Sequence, residues 1–126
     1  MPKLDSILLA STNPEALGAW YAEALQPDED SVSDPYRMLS FGGFYLVIDR
    51  RDDIAAANPD PARVILNFDV ADARQVAERL DGMGVNWVSP IEDRGGSLFA
   101  TATDPDGNYV QIVQLSEEDR AAMAQQ

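Results

Sequence analysis

The stretch Val64-Ile65-Leu66-Asn67-Phe68-Asp69-Val70-Ala71-Asp72-Ala73-Arg74-Gln75-Val76-Ala77-Glu78-Arg79-Leu80 changes its hydrophobic period half-way along. Over 64–70 the side chains alternate. Val64, Leu66, Phe68 and Val70 fall on one side, Ile65, Asn67 and Asp69 on the other, as in a strand with two unlike faces. From 73 onward Ala73, Val76, Ala77 and Leu80 recur at helical spacing. Asp72 stands between the two patterns as a helix N-cap, with Gln75 at the capping-box position. Gly82 and Gly84 then stop the helix. The stretch therefore predicts strand, cap and helix in that order.

The same order occurs earlier in the chain. Residues 4–11 read as a strand, and Asn13-Pro14-Glu15 opens a helix with a cap, a first-turn proline and an acid at the positive end of the dipole. Leu17, Trp20, Tyr21, Ala24 and Leu25 give that helix one apolar face, and Pro27 ends it. A shift of about 59 positions places Ile7 on Leu66, Leu9 on Phe68, Asn13 on Asp72, Leu17 on Val76 and Tyr21 on Leu80.

Strands follow each helix. In the first half they are 36–41 and 44–48 around Gly42-Gly43, and any strand in the acidic tract 26–35 must be short. In the second half they are 85–91, 97–103 and 109–115, the last two joined by the turn Asp104-Pro105-Asp106-Gly107. The hairpins align as well, 43–48 on 107–112. The simplest account is one α+β domain over 1–126 built from two tandem βαβββ modules. Module one covers 1–50, a polar connector with Pro59 and Pro61 covers 51–62, module two covers 63–115, and a tail at 116–126 forms a short exposed helix begun by Ser116. A ferredoxin-like βαββαβ domain has a similar length, but three strands after the second helix favour duplication.

Composition narrows the chemistry. The chain has no cysteine, which excludes disulfides, thiolate ligands and a thiol nucleophile. It has no histidine, which removes the commonest general base and transition-metal ligand. The net charge of −13, from 22 acids and 9 bases, opposes nucleic acid and anionic membrane as partners. No apolar run reaches the ~20 residues of a membrane span, and the first residues lack a signal-peptide core, so a cytoplasmic location is expected.

Three segments carry a resemblance to a known family: 7–25 with Trp20-Tyr21, 66–72, and 99–112 with its Asp-Pro-Asp-Gly turn between strands. Together they resemble the glyoxalase/bleomycin-resistance/dioxygenase (vicinal oxygen chelate) superfamily. The resemblance implies curved, half-open mixed sheets facing each other around a central cavity. In family enzymes four inward side chains, usually His and Glu, hold a divalent metal there. Carried onto this chain, those positions are Ser6, Val47, Ile65 and Gln111. Two hydrocarbons, a hydroxyl and a neutral amide would leave a divalent charge uncompensated. No metal and no other cofactor is therefore expected, and reactions in which the metal polarises a substrate oxygen are put in doubt.

The resemblance and the alternation together suggest a ligand groove between the modules, lined by Ser6, Leu8, Tyr45, Val47, Ile65, Asn67, Trp87, Phe99, Tyr109 and Gln111. An apolar groove with a few polar groups suits a small aromatic or amphipathic molecule. The implied partner is such a molecule, held for sequestration as in the bleomycin-resistance branch, whose members are acidic dimers that bind cationic aromatic drugs. A homodimer is expected, with modules paired within one chain or exchanged between chains. Arg94 in 94–96 reads as part of a flexible loop at the groove mouth. A lyase- or dioxygenase-like enzyme of the family, working without the usual metal or with a non-standard carboxylate site, with Asp49 or Asp69 as candidate general base, is the alternative. A non-catalytic module whose sheets serve only dimerisation is the third reading.

Overall fold

The computed structural model describes residues 1–124. The chain forms two compact units that divide between Pro59 and Asp60. Each holds one helix packed on a four-stranded mixed sheet.

In the first unit the elements are β1 (Ser6–Ser11), α1 (Pro14–Leu25), β2 (Glu29–Ser33), β3 (Tyr36–Phe41) and β4 (Phe44–Arg50). The sheet order is β1-β4-β3-β2, with β1 parallel to β4 and the other neighbours antiparallel. Asn13 caps α1, its Oδ1 accepting the Ala16 N–H at 3.3 Å. The helix closes on Gln26 in the left-handed region (φ 50), directly before Pro27, which cannot continue it. Gly42 and Gly43, at φ 57 and 87, make the two-residue turn between β3 and β4. Leu17, Tyr21 and Ala24 of α1 are fully buried with Leu39, Leu46 and Ile48 of the sheet. Gly18 faces Arg37, and a Cβ there would lie 2.7 Å from its Cδ. The missing side chain lets the Arg37 guanidinium pass the helix and form a two-point ion pair with Asp30, at 2.8 and 3.0 Å.

The second unit repeats the plan with β5 (Leu66–Asp69), α2 (Ala73–Gly82), β6 (Trp87–Arg94), β7 (Ser97–Thr103) and β8 (Tyr109–Gln114), in the order β5-β8-β7-β6. Asp72 caps α2 by accepting the Gln75 N–H at 3.1 Å. Ala73, Val76 and Leu80 pack on Leu98, Ala100, Ala102, Val110 and Ile112. In the turn before β8 the buried Asp104 carboxylate accepts the N–H groups of Asp106 and Asn108 and the Asn108 side-chain amide. The tail forms α3 (Glu117–Ala124), with Ser116 Oγ accepting the Asp119 N–H; the last two residues of the expected tail helix lie outside the described residues.

The duplication is visible in the ladders. Leu8 is opposite Val47 in the parallel pair of unit one, and Asn67 is opposite Gln111 in that of unit two. These are the same places in each repeat. Strand ends differ from the sequence reading. β1 begins at Ser6 rather than 4 and β5 at Leu66 rather than 64, because the parallel ladders that define them begin there. β6 runs to Arg94, so the Arg94 segment expected as a flexible loop is strand up to the Gly95-Gly96 turn. Among the described residues no helix is long and apolar enough to cross a membrane.

Candidate functional site

Each sheet has a face packed on its helix and a face turned away from it, and register assigns every side chain to one or the other. In unit one Ser6, Leu8 and Ala10 lie beside Tyr45, Val47 and Asp49, which continue to Ser40 and Met38 on β3. The neighbours Ile7, Leu9, Leu46 and Ile48 turn to the helix. The helix-free face thus gathers Ser6, Leu8, Tyr45 and Val47, all four expected there. Leu8 is 52% exposed, although it sits in the middle of a ladder.

In unit two the matching face carries a polar row: Asn67 on β5 is level with Gln111 on β8, and Gln111 with Thr101 on β7. Tyr109 pairs with Thr103 on one side of that row, and Phe99 with Val113 on the other. Neither the Asn67 nor the Gln111 amide has a side-chain hydrogen bond among the described residues, to each other or to a third group. Their carbonyl and amino groups are free to meet a ligand or water. Ile65 immediately precedes β5 and is 39% exposed.

Trp87 does not join this set. It pairs with Ala102, whose side chain lies under α2, and its indole Nε1 donates to Asp81 of that helix at 2.6 Å. Strict alternation along β6 fails because the ladder shifts register between Trp87 and Ser89 and again between Ser89 and Glu92. Those irregularities bring Ser89 and Glu92, not Trp87, beside Thr101 and Phe99.

Two charged residues modify the face. Arg94 bonds Glu92 at 3.1 Å and lies over the Phe99 ring, 4.9 Å from its centre. It is occupied by these contacts rather than extended from a mobile loop. Asp69, level with Val113, is held by the Arg120 guanidinium of α3 through bonds of 2.9 and 3.0 Å. That hydrogen-bonded pairing holds its carboxyl below the usual carboxylate range, the opposite of what a general base near neutrality requires. Asp49 lies level with Ala10 in unit one. Met38, Ser40 and Thr101 also lie on these faces; Thr101 follows by alternation from Phe99, and Met38 and Ser40 by the hairpin register opposite Val47 and Tyr45. Arg120 had no such signal, because it belongs to a polar tail helix with no buried residue.

The donor set argues against a divalent ion at the carried-over positions. Val47 sits between Leu8 and Met38, a row of hydrocarbon, and Gln111 is a neutral amide. Among the described residues no three or more His, Cys, Asp or Glu side chains are placed to hold a metal. The four carried-over positions, Ser6, Val47, Ile65 and Gln111, do not fit a divalent metal.

The family profile described as a glyoxalase-like domain matches residues 6–113, nearly all of both repeats. The chain belongs to the glyoxalase-like family. Over 49 residues, 39% of this chain and 27% of that protein, it is 47% identical to the lactoylglutathione lyase of Pseudomonas aeruginosa. The fold is that of the fosfomycin resistance protein FosX from Mesorhizobium loti (TM-score 0.73, 14% identity, 96% of this chain and 98% of that one). It is equally that of a glyoxalase/bleomycin resistance protein/dioxygenase family enzyme from Burkholderia phytofirmans (TM-score 0.75, 14% identity, 91% and 100%). TioX from Micromonospora shares it too (TM-score 0.71, 16% identity, 90% and 98%). The glyoxalase-like family and the vicinal oxygen chelate superfamily around it thus account for the duplicated βαβββ plan.

Proposed function

We propose that this glyoxalase-like protein binds a small aromatic or amphipathic molecule against the helix-free sheet faces, without the divalent metal of the family's enzymes, in a sequestering role. The observation that carries the reading is the level pair Asn67 and Gln111, two unpartnered amides flanked by Tyr109, Phe99 and Val113. Aromatic and aliphatic area with a few free polar groups is the chemistry that holds and orients a small molecule. The net charge of −13 favours a cationic one through the field around the protein. Homodimerisation belongs to the same reading, and sedimentation equilibrium checks it.

Equilibrium dialysis against a panel of cationic aromatic compounds, repeated with EDTA, tests the proposal. The expected result is retention of at least one compound, unaffected by chelator and weakened by Gln111→Leu. Retention that vanishes with EDTA, or no retention across the panel, sinks it.

A further inference from the structure

A second concavity lies on the other side of the second sheet, where α2 crosses the edge strand β6. It is an open cleft of about 260 Å³, lined by Arg74, Ala77, Glu78 and Asp81 of α2 and by Trp87, Pro90 and Ile91 of β6. Its place is fixed by the same register that excluded Trp87 from the helix-free face, so the two sites do not share a side chain.

The chemistry of the walls is specific. Ala77, Pro90, Ile91 and the indole of Trp87 supply an apolar floor. The indole is held in one orientation by its bond to Asp81 Oδ1, and Asp81 Oδ2 takes no bond among the described residues. Glu78 is three residues before Asp81, so both carboxylates rise from one face of the helix. Glu78 makes no ion pair among the described residues, and neither does Arg74. Arg74 and Asp81 are seven residues apart, roughly 10 Å along a helix, so the lone cation stands at the far end from the indole's partner. Two carboxylates against one guanidinium beside an aromatic ring suit a positively charged group over an apolar body. The volume lies near the lower end of small-molecule pockets, about 300 Å³, and admits one ring with one charged head. Pro90 offers no N–H at this sheet edge, which discourages an added strand from covering the rim.

We propose that this cleft is a separate binding site for a small monovalent organic cation with a flat or short apolar body, an aryl amidinium or arylalkyl ammonium. The head sits between Glu78 and the free oxygen of Asp81, the body on Trp87, Pro90 and Ile91. Arg74 opposes a second positive charge on the ligand.

Benzamidine is the probe, titrated into ¹⁵N-labelled protein and followed by the two indole N–H signals. Trp87 reports the cleft, and Trp20, in the first unit, is the control. The expected result is a saturable shift at Trp87 alone, at about millimolar concentration. Glu78→Gln should weaken it about fivefold, the loss of one charge-assisted bond. Arg74→Gln should tighten it about twofold by removing a like charge. Both residues are exposed, and unchanged backbone amide signals of β5, β7 and β8 show that the second unit stays folded. The double variant Asn67→Leu/Gln111→Leu should leave the Trp87 response intact, which separates this site from the one on the helix-free face. An absent or unsaturable Trp87 shift overturns the proposal. So does an equal response to benzoate or benzyl alcohol, or an unchanged affinity in Glu78→Gln.

Discussion

Asn67 and Gln111 stand level in the parallel ladder of β5 and β8, and neither amide is spent on another side chain among the described residues. A polar group that stabilises no internal contact can be removed at little cost to the fold. Asn67→Leu and Gln111→Leu should each change unfolding free energy by less than about 0.5 kcal/mol, the range of surface positions without structural bonds. Each should weaken ligand retention about fivefold, from roughly 1 kcal/mol per hydrogen bond. Urea denaturation and dialysis on the same samples check both halves. A large loss of stability would show that the amides serve the fold instead.

Leu46 and Val47 are adjacent in β4 and face opposite ways. Leu46 is buried against α1, whereas Val47 lies between Leu8 and Met38 on the helix-free side. Leu46→Ala should cost about 3 kcal/mol through lost burial and the cavity left behind. Val47→Ala should cost under about 1 kcal/mol, since its side chain is only half-buried. Denaturant midpoints of the two variants at equal m-value give the comparison. Similar costs would mean that the two faces are not divided as described.

How much of this was legible in the sequence follows from which forces were local. Caps at Asn13 and Asp72, the helix faces and the Gly42-Gly43 turn depend on near neighbours, and the repeat gave the strand order a second witness. Alternation then assigned Leu8, Val47, Asn67 and Gln111 correctly to one side of their sheets. Alternation did not reach Trp87, which was chosen for its aromatic ring and lies on the helix side of a strand with two register shifts. It could not find Arg120 beside Asp69, a pairing 51 positions apart that depends on how α3 folds back. It also gave no hint of the α2–β6 cleft, which needs the helix and an edge strand to meet in space.

The turn between β7 and β8 separates two acids that look alike in sequence. Asp104 is buried and accepts three hydrogen bonds, at 2.9, 3.0 and 2.9 Å, while the Asp106 side chain accepts none of these. Removing the Asp104 carboxylate leaves buried N–H groups without acceptors. Asp104→Ala should therefore destabilise the protein by about 2–3 kcal/mol, and Asp106→Ala by less than about 0.5 kcal/mol. Thermal unfolding of the pair checks it. Equal effects would assign the turn's stability to backbone geometry rather than to the Asp104 network.

The tail helix should respond to acid through one residue. No residue of α3 is buried, and it meets the sheet through Arg120 on Asp69 and through Asp119 and Ser116 on Ser97. The hydrogen-bonded Arg120 holds the Asp69 carboxyl below its ordinary value in the folded protein. A carboxylate with a depressed folded pKa stabilises fully above its unfolded value, about 4. That contribution then drains as pH falls through the lower folded value. Arg120 stays charged throughout, so the loss is assigned to Asp69. Amide exchange in 117–124 should accelerate as pH drops below about 4, beyond the intrinsic pH dependence of exchange, while the amides of β7 and β8 stay protected. In Asp69→Asn the same amides should already exchange faster at neutral pH and should lose most of that extra acid response. If Asp69→Asn retains the full acid response, the latch belongs to Asp119 and Ser97 instead, and the pairing with Arg120 does not govern the tail.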